Sequence, residues 1–187
     1  MSGWETSEGR VFPAGEDNPT EGAGRTMESF RGRFTNRIDA KGRVSVPAKF
    51  RAVTMAQGLN GVICFPPLNP GSFIEGCGPA FSEIVDQMLD RLDPFAPERQ
   101  SLAAVLIGES AELTFDSDGR VILPETLRNL AGISDEATFV GMGQRFQIWE
   151  PKAYDAYYAK ALEDAQKYRD LLRSPSAPAN PGTGGTR

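Results

Sequence analysis

The sequence predicts an α+β fold, mainly β, built from two tandem copies of one structural unit, and three observations carry that prediction. Ile38-Asp39-Ala40-Lys41-Gly42-Arg43-Val44-Ser45-Val46-Pro47 returns as Phe115-Asp116-Ser117-Asp118-Gly119-Arg120-Val121-Ile122-Leu123-Pro124. At the same offset Arg51 meets Arg128, and Phe50 meets Leu127 as an apolar pair. Short apolar runs flank glycine turns, which is the pattern of strands. Two longer segments carry apolar residues at helical spacing. A duplicated supersecondary unit is the economical explanation of the repeat.

Each copy reads in order as strand, tight turn, strand and short helix. Arg33 to Ile38 and Val44 to Val46 flank Lys41-Gly42, and Leu113 to Phe115 and Val121 to Leu123 flank Asp118-Gly119. Each pair of arms is expected to close a hairpin, with glycine supplying the positive φ of the turn. Pro47 and Pro124 stand where a helix begins. Gly132 stands where the helix over 125–131 ends, as a C-cap. Thr138 to Val140 and Phe146 to Trp149 form a further hairpin. Val62 to Phe65 is the matching strand of the first copy, cut short by Pro66-Pro67, and 66–79 reads as a Pro/Gly-rich insertion. Phe81, Ile84, Val85, Met88, Leu89 and Leu92 make one stripe of a connector helix. Tyr154, Tyr157, Tyr158, Ala161, Leu162, Ala165 and Tyr168 make the stripe of a C-terminal helix. Both stripes are read as core or subunit contact.

The expected organisation is a disordered N-terminal extension (1–26), a first repeat (33–80), a helical connector (81–109), a second repeat (110–153), a C-terminal helix (154–172) and a disordered tail (173–187). The two ends are too rich in Gly, Pro and polar residues to bury a core. The patterned sequence starts directly after Met27, which reads as the translation start.

Composition narrows the function classes. A chain of 187 residues that is 40% hydrophobic can bury an ordinary core. Its longest clean apolar run, 102–107, is far short of the roughly 20 residues that cross a bilayer, and the start lacks a signal-peptide pattern. The expectation is a cytoplasmic protein with no membrane partner. Cys64 and Cys77 are too far apart for a CxxC site and the chain has no His, so reduced thiols and no metal site are expected. Without His the commonest general base and the Ser/His and Cys/His pairs are missing. No enzyme, catalytic residue, cofactor or small-molecule substrate is expected.

Charge distribution points elsewhere. The net charge is −5, yet residues 31–51 carry Arg31, Arg33, Arg37, Lys41, Arg43, Lys49 and Arg51 against the single acid Asp39, a local +6. Such a segment suits the phosphate backbone of DNA, because each cation that neutralises a phosphate releases counterions. Two-stranded ribbons enter the major groove, where Arg and Lys read guanine edges. Asp39 and Arg43, like Asp116 and Arg120, bracket a turn that they can close by an ion pair or by capping its amides. Asp39, Gly42, Asp116 and Gly119 are therefore read as structural turn residues, with Arg43 facing DNA. Arg120 shares its turn with Asp116 and Asp118, and is expected to bind phosphate less well.

The two Asp-x-x-Gly-Arg turns followed by Pro, the opening Phe30-Arg31-Gly32-Arg33-Phe34 and the late Phe139-Val140-Gly141-Met142-Gly143-Gln144-Arg145-Phe146-Gln147-Ile148-Trp149 resemble the MraZ family of tandem SpoVT-AbrB proteins. The likeness spans about 27–163. It implies a swapped-hairpin AbrB-like β-barrel with flanking helices, and a transcriptional regulator, usually a repressor, of the division and cell-wall gene cluster. It also implies repeated promoter boxes in double-stranded DNA, nucleoid association, and a ring-like homo-oligomer of about eight subunits, which head-to-tail contacts can close. DNA contacts carry over to Arg31, Arg33, Arg37, Lys41 and Arg43, with Lys49 and Arg51 less directly and Arg120 as the second-copy counterpart. The N-terminal extension, the 66–79 insertion and the acidic Asp118 depart from the family pattern. The alternatives are an antitoxin-like AbrB-fold protein, although the tail after Leu172 lacks apolar anchors for a toxin, and a structural ring that shows no salt-dependent promoter binding.

Overall fold

A computed structural model describes residues 29–69 and 71–172. The predicted extension 1–26, Met27 and the tail 173–187 lie outside the described residues. In chain order the elements are β1 (Arg33–Arg37), β2 (Arg43–Ser45), α1 (Ala48–Ala56), β3 (Gly61–Phe65), β4 (Phe73–Cys77), α2 (Pro79–Asp90), α3 (Pro97–Ala103) with a π-helical turn at Ala104–Gly108, β5 (Ala111–Thr114), β6 (Arg120–Ile122), α4 (Glu125–Ala131), β7 (Glu136–Gly141), β8 (Arg145–Trp149) and α5 (Pro151–Tyr168). The fold is α+β with antiparallel pairing throughout.

The late hairpin forms as expected, β7 pairing with β8, but the arms of the two repeated Asp-x-x-Gly-Arg hairpins do not pair as ladders with one another. They separate after the turn, and each joins the other copy. β1 pairs with β7, β3 with β5 and β4 with β8, giving a six-stranded sheet in the order β1-β7-β8-β4-β3-β5. β2 and β6 form a separate two-stranded ribbon, with Val44 opposite Val121. Within the first hairpin only the turn bonds and one bridge, Ile38 to Val44, remain. The reason is burial. A three-residue arm gains little from its own turn partner, whereas pairing across the copies seals Val44 and Val121 together, 0% and 2% exposed. The two sheets stand as an open sheet and a ribbon, not one continuous closed barrel.

The exchange is reciprocal. Val46 N donates to Gly119 O at 3.1 Å, and Leu123 N donates to Gly42 O at 3.0 Å, so each strand end is finished by the other copy's turn glycine. The repeated arginines follow the same rule. The Arg51 guanidinium lies over Gly119 while its Nη1 donates to Val46 O, and Arg128 lies over Gly42. This geometry yields a prediction. A Cβ at Gly119, where φ is +71°, would meet Arg51 Cζ at 2.5 Å, whereas one at Gly132, φ +64°, meets nothing within 4 Å. Both alanine variants carry the left-handed backbone cost of about 1–2 kcal/mol. Gly119→Ala should lower the urea midpoint further than Gly132→Ala; equal midpoints would remove Arg51 from the turn.

Alternation divides the sheet into two faces. Ala137, Phe139, Phe146, Ile148, Ile74, Val62, Cys64 and Leu113 point inward to one core, closed by Phe50 and Val53 of α1, Leu127 and Ala131 of α4, and the ribbon valines. The outer face carries a smaller cluster of Phe73, Val140, Trp149 and Tyr154, where α5 lands. Pro151 opens α5, and Glu150 caps it by accepting from Ala153 N at 2.7 Å.

Several elements differ from the reading of the sequence. The 66–79 insertion contains β4, all five of its residues buried, as an inner strand of the sheet. The connector stripe loses Leu92, because α2 stops at Asp90, shortly before Pro94 forbids helix at the residue preceding it. The connector also gains α3, whose apolar run lacks amphipathic spacing. In α5 only Tyr154 is buried; Tyr157, Tyr158, Leu162 and Tyr168 face outward. That stripe is not core. Cys64 and Cys77 are both free. The register sets Cys77 opposite Ile63, so the two thiols lie on opposite faces of the sheet and cannot bridge. Burial pushes both thiols up, Cys77 to about 12.

Candidate nucleic-acid interface

The site is built from the two turns and the ribbon between them. In the first turn Asp39 Oδ1 accepts from Lys41 N at 2.9 Å and Arg43 N at 3.0 Å, while Oδ2 accepts from Arg43 Nε at 2.7 Å. The second turn repeats this geometry: Asp116 Oδ1 accepts from Asp118 N and Arg120 N, both at 2.9 Å, and Oδ2 from Arg120 Nε at 2.8 Å. One carboxylate thus ties the turn backbone and aims the arginine. The Arg43 side-chain hydrogen bond is the main cause that holds the Asp39 carboxyl at about 2, below the usual carboxylate range. Asp116 is lowered too, chiefly by the Arg120 backbone N–H.

The ribbon sorts side chains by alternation. Val44 and Val121 face the core, so Arg43, Ser45, Arg120 and Ile122 share the outer face. Arg43 stands opposite Ile122, and Arg120 opposite Ser45. Both guanidiniums are about one-third exposed, and Ile122 is exposed. Asn36 Nδ2 donates to Ser45 O at 2.7 Å, which fixes the ribbon to the end of β1.

The two arginines differ in their neighbours. Arg43 answers only Asp39, and the side chain of Lys41 beside it has no ion-pair or hydrogen-bond partner among the described residues. Arg120 meets Asp116 and also, through Nη2, Asp118 at 2.6 Å. Its charge is more fully neutralised. The first turn therefore keeps more unneutralised positive charge than the second.

The other basic candidates are dispersed. In β1 the alternation places Arg33 and Arg37 on the side opposite Phe34 and Asn36, hence away from the ribbon. Arg33 pairs with Asp155 and sits 4.7 Å over the Tyr154 ring, so it anchors α5. Arg37 is 92% exposed, with Glu136 a loose 3.8 Å away. Arg31 Nε donates to Ser29 Oγ at 2.8 Å. Lys49, exposed on α1, has no charged partner among the described residues. Ser45 and Ile122 belong to the ribbon and Asn36 ties it to β1, and all three escaped the sequence reading, which looked for charge. Pairing β2 with β6 at the repeat offset would have found the first two. Among the described residues no group of three His, Cys, Asp or Glu side chains could hold a metal ion, and no helix is long and apolar enough to cross a membrane.

Comparisons with known proteins converge. The family model described as "MraZ protein, putative antitoxin-like" matches residues 106–174. The transcriptional regulator MraZ of Parvibaculum lavamentivorans is 66% identical over 161 residues, covering 86% of this chain and 100% of that protein. The transcriptional regulators MraZ of Rickettsia bellii and Rickettsia akari are 43% and 41% identical, each covering 79% of this chain and 99% of their own length. With likeness of that degree over the whole length of these relatives, the chain belongs to the MraZ family.

Proposed function

We propose that this protein is a sequence-specific DNA-binding transcriptional regulator, a repressor of the division and cell-wall gene cluster that includes its own promoter. The observation that carries the reading is the inter-copy ribbon: a two-stranded element that presents Arg43 and Arg120 on one outer face, with Lys41 at its tip. An antiparallel ribbon of this kind fits the major groove, where arginine reads guanine and lysine meets phosphate. The relatives' name, transcriptional regulator, supports the same class.

Affinity follows from repetition. One ribbon offers few phosphate contacts and binds at a non-specific scale. A ring-like homo-oligomer of about eight copies engages several promoter boxes at once, and each further engagement becomes intramolecular, raising affinity on the order of 10²-fold. Promoter occlusion then represses, and the protein resides on the nucleoid. Fluorescence anisotropy tests this directly: DNA from upstream of the gene should bind more tightly than scrambled DNA, with strong salt dependence. Equal weak binding to both would sink the reading.

The asymmetry of the turns gives a second expected outcome. Asp118→Lys removes the carboxylate at 2.6 Å from Arg120 and supplies the cation that Lys41 provides in the first turn. Binding should tighten, and the slope of log affinity against log salt should steepen by about one to two. An unchanged slope would place the second turn off the DNA.

A further inference from the structure

Away from the ribbon, on the outer face of the sheet, a cavity of about 330 Å³ lies between β4, β8 and the α2–α3 connector. That volume falls within the range of about 300–1,000 Å³ typical of small-molecule sites, which are mostly apolar with a few placed polar groups. Its walls are Phe65, Val85, Leu89, Leu102 and Leu106. Leu106 belongs to the π-helical turn Ala104–Gly108, a distortion that recurs at functional sites.

Glu75, Arg145 and Asn69 are its polar lining, and Gln147 and Trp149 back Glu75 from outside the cavity. The Glu75 side chain is 9% exposed, and Arg145 Nε donates to its Oε2 at 3.2 Å. Gln147 Nε2 donates to Oε1 at 3.3 Å, and Trp149 Nε1 in turn donates to Gln147 Oε1 at 3.0 Å. Arg145 also sits 5.5 Å from the Phe81 ring centre. Neither the turns nor the ribbon uses this chain of groups. A pair in which only the carboxylate is buried is a weak source of stability, since desolvation of Glu75 offsets the attraction, so its placement in a cavity calls for another reason. Glu75 keeps lone pairs beyond those that accept from Arg145 and Gln147, and the Arg145 Nη groups have no hydrogen bond among the described residues.

The charges of the pair cancel. A ligand with a net charge would be left uncompensated in apolar surroundings, whereas a neutral head that both donates and accepts meets Glu75 and Arg145 together. We propose that this cavity binds a neutral amphiphile, an apolar body of medium chain length bearing one amide-like head group that donates to Glu75 and accepts from Arg145. The site shares no residue with the ribbon, so the outcome stands apart from DNA binding.

Octanamide titrated calorimetrically into the full-length protein should bind saturably, and at least about tenfold more tightly than octanoate or octylammonium, which bury an unbalanced charge. Glu75→Gln leaves the Arg145 charge unbalanced, so the order should invert and octanoate should bind better than octanamide. Val85→Trp fills the cavity and should abolish both, with circular dichroism confirming the fold. Absence of saturable binding, the same head-group order in wild type and Glu75→Gln, or undiminished binding in a folded Val85→Trp variant would each overturn the proposal. The inversion in Glu75→Gln decides the matter even where Val85→Trp does not fold.

Discussion

Arg43→Ala is expected to abolish promoter-specific binding while leaving the fold and the assembly intact. Each bidentate arginine–guanine contact contributes about 1–3 kcal/mol of discrimination, roughly 5–150-fold for every engaged ribbon. A ring that engages two or more boxes loses that factor at each of them, which brings specific binding down to the non-specific level. Stability should barely change. The Asp39–Arg43 pair lies at a surface turn with both side chains about one-third exposed, where solvent screens an ion pair and it adds little to stability. Asp39 Oδ1 still accepts the Lys41 and Arg43 amides in the variant, because both bonds are to backbone. Lys41→Ala is the informative contrast: loss of a phosphate contact should weaken promoter and scrambled DNA alike and reduce the salt slope by about one. Anisotropy titrations on both DNAs, with size-exclusion chromatography and circular dichroism as controls, decide the case. Unchanged promoter affinity in Arg43→Ala would remove this arginine from the interface.

The repeat made the turns legible and left their partners hidden. Asp39, Gly42, Asp116 and Gly119 announce a tight turn locally, and each turn forms where expected. Which strand an arm pairs with is a long-range matter, decided by where Val44 and Val121 are sealed from water. Local hairpin signals cannot carry that information. β4 was hidden for another reason. Its Gly76 looks like a loop residue, yet a Cβ there would lie 2.3 Å from the Phe146 ring, so the glycine makes room for a neighbouring strand's aromatic. The positive window at 31–51 was visible as charge, but alternation in β1 sends Arg33 to α5 while Arg43 stays on the ribbon. Charge counted along the chain merges side chains that the sheet then separates.

Phe50→Ala is expected to be the most damaging core substitution for stability. Phe50 is fully buried, and its ring meets Phe30 at 5.3 Å, Phe34 at 5.6 Å, Phe146 at 5.2 Å and Phe139 at 6.4 Å. Those neighbours come from β1 and the segment before it in the first copy, and from β7 and β8 in the second. The side chain of one copy's helix is thus a fastener for both. Truncation removes the transfer gain and leaves a cavity among four rings that the surrounding sheet cannot close, a loss of about 3–5 kcal/mol. Against a total of about 5–15 kcal/mol for a domain, that is a large fraction. The melting temperature should fall by about 10–20 °C. Leu127, at the matched position of the second copy, is 3% exposed and lies in the same core, so Leu127→Ala should act in the same direction on the same transition. Because the strands of the two copies interleave in one sheet, both variants should shift a single cooperative unfolding step. Two separable transitions, with only one displaced by Phe50→Ala, would mean that each copy has its own core, contrary to the inter-copy packing of this ring.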